Sequence, residues 1–317
     1  MSNMMQSEHF TLQPLAEGVY AAIATELGAG FSNAGLVDLG DRALVFDSFE
    51  NPQAAEDLLS ACLQLTGRRP ECVIISHWHP DHWGGLQAFT GSTILATEAT
   101  RQAMLPIAKE MVQDRKNPDR WEKGIQEMET QLTRETNPGK RKMLEISIAR
   151  QRHTLQALPT LEPTLPNLTF EGKIVFHGSR RSVELINTGK GHTISDCLLR
   201  LPQEQVAFIG DIGFLQAQPF MPYCYPTEWV ALLKEMAGWD IDSFCPGHGP
   251  MGSKTDLALE ADYILALEAL VGQVVQAGGS VEDALSQTLP APFDAWQAVG
   301  QRFEANVRAS YKRQSKD

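Results

Sequence analysis

The chain has 317 residues, 43% of them hydrophobic, with a formal net charge of −12 at pH 7, which is enough apolar material for a full core in one domain spanning 1–317. The acidic balance argues against nucleic acid as a partner, because that needs a basic face, and no run approaches the roughly 18 apolar residues of a membrane span. Met1 to Phe10 is polar with no export-type apolar stretch, and Cys62, Cys72, Cys197, Cys224 and Cys245 are odd in number with no CxxC spacing, so a cytoplasmic protein with reduced thiols is expected.

In chain order, 19–24, 34–39 and 43–47 read as strands separated by glycine-containing turns. Pro52 opens a helix to Thr66 whose one face carries Ala54, Ala55, Leu58, Leu59, Cys62 and Leu65. A buried strand at 72–75 runs directly into a histidine cluster, and 93–96 is a further strand. From about residue 98 the β-branched runs vanish, and Leu105, Met111, Trp121, Ile125, Met128, Leu132, Met143, Leu144 and Ile148 recur at roughly helical spacing. Breaks at Asn117-Pro118 and Asn137-Pro138-Gly139 divide this stretch into two or three helices. A linker carrying Pro159, Pro163 and Pro166 closes an insertion of about 98–166, whose apolar stripe serves ordinary packing, a lid or a homo-oligomer contact. Strands resume at 168–171, 173–177, 183–187, 197–201 and 206–209; helices follow at 227–236, and a helical tail spans about 254–317.

Five of the eight histidines fall into one pattern. His77-Trp78-His79-Pro80-Asp81-His82 is a tight cluster, while His192 and His248 follow singly beside glycines. Each candidate ligand lies just after an apolar run: 72–75 precedes His77, 183–186 precedes His192, 206–209 precedes Asp211, and Phe244-Cys245-Pro246 precedes His248. If those runs are strands, all these groups emerge at strand ends and converge on one edge. In an extended segment His77 and His79 share a face, and Asp81 and His82 turn elsewhere after Pro80, so one short loop serves two cations. Imidazoles and carboxylates without thiolate suit two divalent ions, zinc above all, with iron or manganese also accommodated. Asp211 as a bridge would hold the ions about 3.5–4 Å apart and let a water between them ionise near neutral pH. No GxSxG nucleophile element is present.

The cluster His77-Trp78-His79-Pro80-Asp81-His82 with Gly84-Gly85, followed in order by Gly191-His192-Thr193, Gly210-Asp211 and Pro246-Gly247-His248-Gly249, resembles the signature of the metallo-β-lactamase superfamily. The resemblance implies an α/β, αββα four-layer sandwich with the metals at one edge. It implies a first site of His77, His79 and His192, a second of Asp81, His82 and His248, and Asp211 between them. A carboxylate at Asp211, where class B1 β-lactamases carry cysteine, turns the expectation away from β-lactams and toward the hydroxyacylglutathione hydrolase and lactonase branches.

The expected activity is therefore hydrolysis of an ester, thioester, lactone or amide in a small-molecule substrate, with Asp81 and Asp211 as the catalytic carboxylates. Alternatives are an iron-dependent redox member resembling persulfide dioxygenases, a phosphodiester or sulfate ester hydrolase, and a non-catalytic binding protein. Phe214, Phe220, Tyr223 and Tyr225 sit in one proline-rich loop after Asp211 and are the candidate substrate-binding residues. Asp47 either orients a ligand histidine or turns the chain into Asn51-Pro52, and Asp196 is open in the same way. His9, His153 and His177 are read as ordinary surface or core residues.

Overall fold

A strand meander occupies residues 10–46, where short apolar runs are separated by turns carrying Gly18 and Gly40. A computed structural model describes residues 7–299 and 302–315. Strands β1 (Phe10–Ala16), β2 (Val19–Ala24), β3 (Ala34–Asp38) and β4 (Ala43–Phe46) pair antiparallel in succession. Helix α1 (Pro52–Thr66) then crosses over to β5 (Cys72–Ile74), which lies parallel to β4. After the one-turn helix α2 (Pro80–Trp83), β6 (Thr93–Thr97) continues the parallel side. Helices α3 (Glu98–Lys116), α4 (Asp119–Arg134) and α5 (Pro138–Ala157) follow, and β7 (Leu168–Phe170) completes a seven-stranded sheet.

The second sheet has five strands: β8 (Lys173–His177), β9 (Ser182–Gly189), β10 (Asp196–Leu201), β11 (Val206–Gly210) and β12 (Ser243–Pro246). The first four run antiparallel, and α6 (Pro226–Ala237) carries the chain over so that β12 lies parallel to β11. Helices α7 (Lys254–Gln276), α8 (Val281–Leu285), α9 (Phe293–Val299) and α10 (Arg302–Gln314) end the chain.

Three apolar layers hold these elements together. Between the sheets, Val37, Leu44, Phe46 and Ile74 face Leu185, Leu199, Val206 and Phe208. Outside the first sheet, Ala54, Leu58 and Met104 of α1 and α3 cover Val45 and Val73. Outside the second, Trp229, Leu233, Leu257 and Ile264 of α6 and α7 cover Leu198 and Ile209. Helices on both outer faces explain why β4, β5 and β11 are buried throughout and read as continuous apolar runs. The architecture is the expected αββα sandwich.

The insertion holds three helices, broken at the two asparagine–proline sites. Its first helix covers the sheet, α4 packs on α5, and α5 meets the body through Arg150–Glu50, Lys142–Glu26 and the His153 bond to the Leu27 carbonyl. Two features differ from the sequence reading. Strand β1 was not expected; it contains Pro14, which is tolerated because β1 is an edge strand with a bulge between Pro14 and Ala16. Asp81 and His82, expected in a loop, lie on α2, which Pro80 opens at its first position. All five cysteines are free and buried, and among the described residues no helix is long and apolar enough to cross a membrane.

Candidate metal centre

One edge of the sandwich gathers the strand ends. His77 follows β5, Asp211 follows β11, His248 follows β12, and His192 sits in the turn between β9 and β10. Backbone bonds lock these ends to one another: Cys197 N–H to the Ser76 carbonyl at 2.9 Å, and Gly247 N–H to the Gly210 carbonyl at 2.7 Å. Gly210 has φ of +51°, and a Cβ there would lie 2.7 Å from Ser76 Cβ, so a side chain at this position would push the two sheets apart.

The donor atoms converge in two groups. His79 Nδ1 is 2.9 Å from His77 Nε2 and 3.0 Å from His192 Nε2. Asp211 Oδ2 stands 3.7 Å from His77 Nε2 and 3.4 Å from His192 Nε2. Its other oxygen, Oδ1, is 3.1 Å from His82 Nε2 and 3.5 Å from His248 Nε2. Asp81 Oδ2 lies 3.0 Å from His248 Nε2 and 3.5 Å from His82 Nε2. Asp211 thus presents one oxygen to each group.

These residues fit one or two divalent ions. A cation about 2.0–2.1 Å from four tetrahedral donors spaces those donors about 3.3 Å apart, close to the separations above. Nε2 of His82 and Oδ1 of Asp211 are buried 3.1 Å apart, yet neither makes a well-aligned hydrogen bond to the other or to any other described residue. Such orphaned atoms destabilise a fold unless a further group satisfies them. Both groups are recognisable as metal-binding clusters: His77, His79, His192 and Asp211 in one, Asp81, His82 and His248 in the other.

A family model described as "Metallo-beta-lactamase superfamily" matches residues 27–248. The chain belongs to that superfamily. A curated relative, "Acyl-coenzyme A thioesterase MBLAC2" of Gallus gallus, is 25% identical over 273 residues, which is 82% of this chain and 88% of that one. Among solved structures, a metallo-beta-lactamase from Pontibacter korlensis is similar at TM-score 0.57 and 16% identity, covering 81% of this chain and 99% of that chain. The mono-zinc form of the metallo-beta-lactamase FIM-1 from Pseudomonas aeruginosa gives 0.55 and 14%, covering 81% and 95%. A double mutant of the sec-alkyl sulfatase PisA1 gives 0.66 and 16%, covering 96% of this chain and half (50%) of that one. At these identities the structural likenesses establish the fold. Fold and cluster together are consistent with a catalytically active metallo-hydrolase of the superfamily.

Within this superfamily member, burial and charge act differently on the donors. Burial drives the His77 and His192 imidazoles well below their usual pKa and lowers His79 to about 4, so their lone pairs are free for a cation. Burial opposes charge on His82, but Asp211, Asp47 and Asp81 outweigh it and hold its pKa well above the usual value. Asp211 is likewise buried, yet His248 and His82 keep it ionised.

Asp47 accepts from His82 Nδ1 at 2.7 Å and from Ser76 N–H and Oγ–H at 2.8 Å each. Ser76 Oγ in turn meets His77 Nδ1 at 2.9 Å. Asp47 therefore orients one histidine of each group, with His82 Nε2 left facing Asp211. It does so at φ of +61°, in the left-handed region that few non-glycine residues adopt. Asp196 accepts from the Thr193 N–H and hydroxyl and shapes the turn that carries His192. Asp47→Asn, which keeps the shape and removes the charge, is expected to weaken zinc binding about 10–100-fold with the fold intact. Competition against a chromophoric chelator measures it, and an unchanged affinity contradicts this role.

The aromatic loop after Asp211 divides. Phe214 is buried and stacks on His248, with centroids 5.6 Å apart, and Phe220 lies 5.9 Å from His79. Tyr223 is exposed and stands 5.6 Å from His79 beside Trp78. Tyr225 is placed elsewhere: its ring lies under Lys190 Nζ at 4.6 Å and its backbone precedes α6. Phe31 escaped the sequence reading. It sits at φ of +63°, receives the His248 Nδ1–H on its carbonyl at 3.1 Å, and sets its ring 5.2 Å from His248. Its only local signal is the preceding Gly28-Ala29-Gly30. His9, His153 and His177 lie outside the cluster; His153 bonds the Leu27 carbonyl and His177 bonds Ser182.

Proposed function

We propose that this chain is a two-metal hydrolase that cleaves an ester or thioester bond of a small acyl substrate. The observation that carries the reading is Asp211, with one oxygen turned to each donor group. His77, His79 and His192 would hold one ion, Asp81, His82 and His248 the other, and Asp211 would join both. Bound there, two zinc ions supply an acidified water and a polarised carbonyl oxygen at neutral pH.

The chain's own residues do the rest. Asp47 and Ser76 fix the rings of His82 and His77, so the donors need no rearrangement. Although Asp81 is buried, His82 and His248 hold its pKa well below the usual range, so it is ionised, as a metal-holding carboxylate must be. Phe214 and Phe220 wall the ligand histidines with apolar surface, which excludes bulk water and strengthens the local field. Tyr223, with its exposed ring beside His79, stands at the rim where a leaving group departs. The acyl-coenzyme A thioesterase relative supports an acyl substrate, and a carboxylate bridge rather than cysteine supports carbonyl hydrolysis outside the β-lactam class.

The test is a panel assay of the zinc-loaded protein on 4-nitrophenyl esters, short acyl thioesters, lactones and alkyl sulfates. Turnover of esters or thioesters that is abolished by chelation and restored by zinc is expected. Sulfate release alone, or no turnover of any acyl compound, contradicts the proposal.

A further inference from the structure

A cavity of about 370 Å³ opens beside His248, between the insertion and the C-terminal helices, lined among others by Phe31, Met143, Arg150, Gln218 and Arg302. Its two arginines come from distant elements, α5 and the start of α10. Each rests on one of the two phenylalanines that flank His248. The Arg150 guanidinium carbon is 3.4 Å from the Phe31 ring centroid, and that of Arg302 is 4.7 Å from the Phe214 centroid. Stacking of this kind fixes the plane of a guanidinium and leaves its edge to hydrogen-bond partners.

Their partners leave a net positive charge. Arg150 bonds Glu50 through Nε and Nη2. Arg302 donates to the Gln218 backbone carbonyl at 2.7 Å, its one hydrogen bond among the described residues. Gln218 adds a separate observation. Its side chain is 5% exposed, it lines the same cavity, and neither its Oε1 nor its Nε2 has a hydrogen-bond partner among the described residues. A buried amide left so is destabilising, and a ligand group can satisfy it. Burial also depresses the Arg302 pKa, against the pull of Asp211 and Asp81, so this cation is close enough to feel the carboxylates of the donor cluster.

We infer that Arg302, Arg150 and Gln218 form an oxyanion pocket, and that the substrate is an ester or thioester bearing a carboxylate or similar charged oxyanion a short reach from the bond that breaks. The inference rests on the hydrolytic reading above and names its substrate class. The Arg302 guanidinium matches a carboxylate, sulfate or phosphate edge, Arg150 adds the Nη1 side that Glu50 does not occupy, and the Gln218 amide supplies a further N–H. The apolar flanks, Phe31 and Met143, take the short carbon chain between that anion and the acyl carbonyl.

The zinc-loaded full chain is assayed on two isosteric esters, 4-nitrophenyl hemisuccinate and 4-nitrophenyl 4-methylpentanoate. The unaltered chain should favour the anionic ester by at least about tenfold in kcat/KM. Arg302→Gln should lower kcat/KM for the hemisuccinate about 30-fold, chiefly through KM, and for the neutral ester less than about threefold. Gln218→Glu, which sets a like charge in the pocket, should likewise abolish the preference, and it keeps the test open if Arg302→Gln does not fold. Equal activity on both esters, or equal losses on both in either variant, overturns the inference.

Calorimetric titration with succinate, sulfate and inorganic phosphate separates this result from a failure of the hydrolytic reading. If neither ester turns over, binding that weakens at least about tenfold in Arg302→Gln still supports the pocket, and the tightest of the three names the oxyanion. Binding that is absent, or identical in both proteins because the anion sits on the metals alone, overturns it.

Discussion

Asp211→Asn is expected to bind at most about one zinc ion per chain where the unaltered protein binds about two, and to lose on the order of 10³-fold or more in kcat/KM. Both oxygens of Asp211 are committed, Oδ2 toward His77 and His192 and Oδ1 toward His82 and His248. The amide retains one oxygen, so only one group keeps its fourth donor, and the anion that offsets two cations is gone. Coulomb attraction is strong in this buried edge, where Asp211 is 4% exposed. Elemental analysis gives the stoichiometry and steady-state kinetics the rate, with circular dichroism to confirm folding. Two tightly held ions and undiminished turnover in this variant contradict the bridging assignment.

Gly247→Ala should do comparable damage without touching a donor. A Cβ at Gly247 would stand 1.9 Å from Asp211 Oδ1 and 2.8 Å from His82 Cε1. The backbone cannot swing aside, because Gly247 N–H is bonded to the Gly210 carbonyl and the Gly247 carbonyl accepts from Asn33 N–H, each at 2.7 Å. Asp211 must therefore move out of reach of the second group. Zinc affinity should fall about 10–100-fold, and stability by about 1–3 kcal/mol from overpacking. Chelator competition and thermal unfolding of the metal-free protein read the two effects. A variant with native affinity and native melting would show that Asp211 is not held against Gly247.

The donor set was legible because its residues are announced locally. Four of the seven lie within His77 to His82, and His192, Asp211 and His248 each follow an apolar run and touch a glycine. Gly247 shows the physical reason for one such glycine: no other residue lets the chain pass so close to a ligand carboxylate. The sandwich was legible for a related reason, since buried parallel strands and amphipathic helices leave different periodicities.

Other parts carry little or no local signal. Phe31, Arg150 and Arg302 reach the rim of the centre from three distant segments, and each is an ordinary residue in its own neighbourhood. Gln218 stands out only because its amide is buried without a partner, a property of the tertiary structure. Helix α2 spans four residues, too few for a helical period to register. In β1 only Phe10 and Leu12 are buried, and Pro14 argues against a strand until its place at the sheet edge is known. Asp47 was divided between turn and orienting roles because nothing near it in sequence names His82, 35 residues on, as its partner.

Anomalous diffraction at the zinc edge from crystals of the zinc-loaded chain puts the two-ion edge to its most direct trial. Two peaks about 3.5–4 Å apart are expected, one bonded to His77, His79 and His192, the other to Asp81, His82 and His248, with an Asp211 oxygen about 2.0–2.2 Å from each. A map with no metal at this edge, or with ions held only by residues elsewhere, would contradict it.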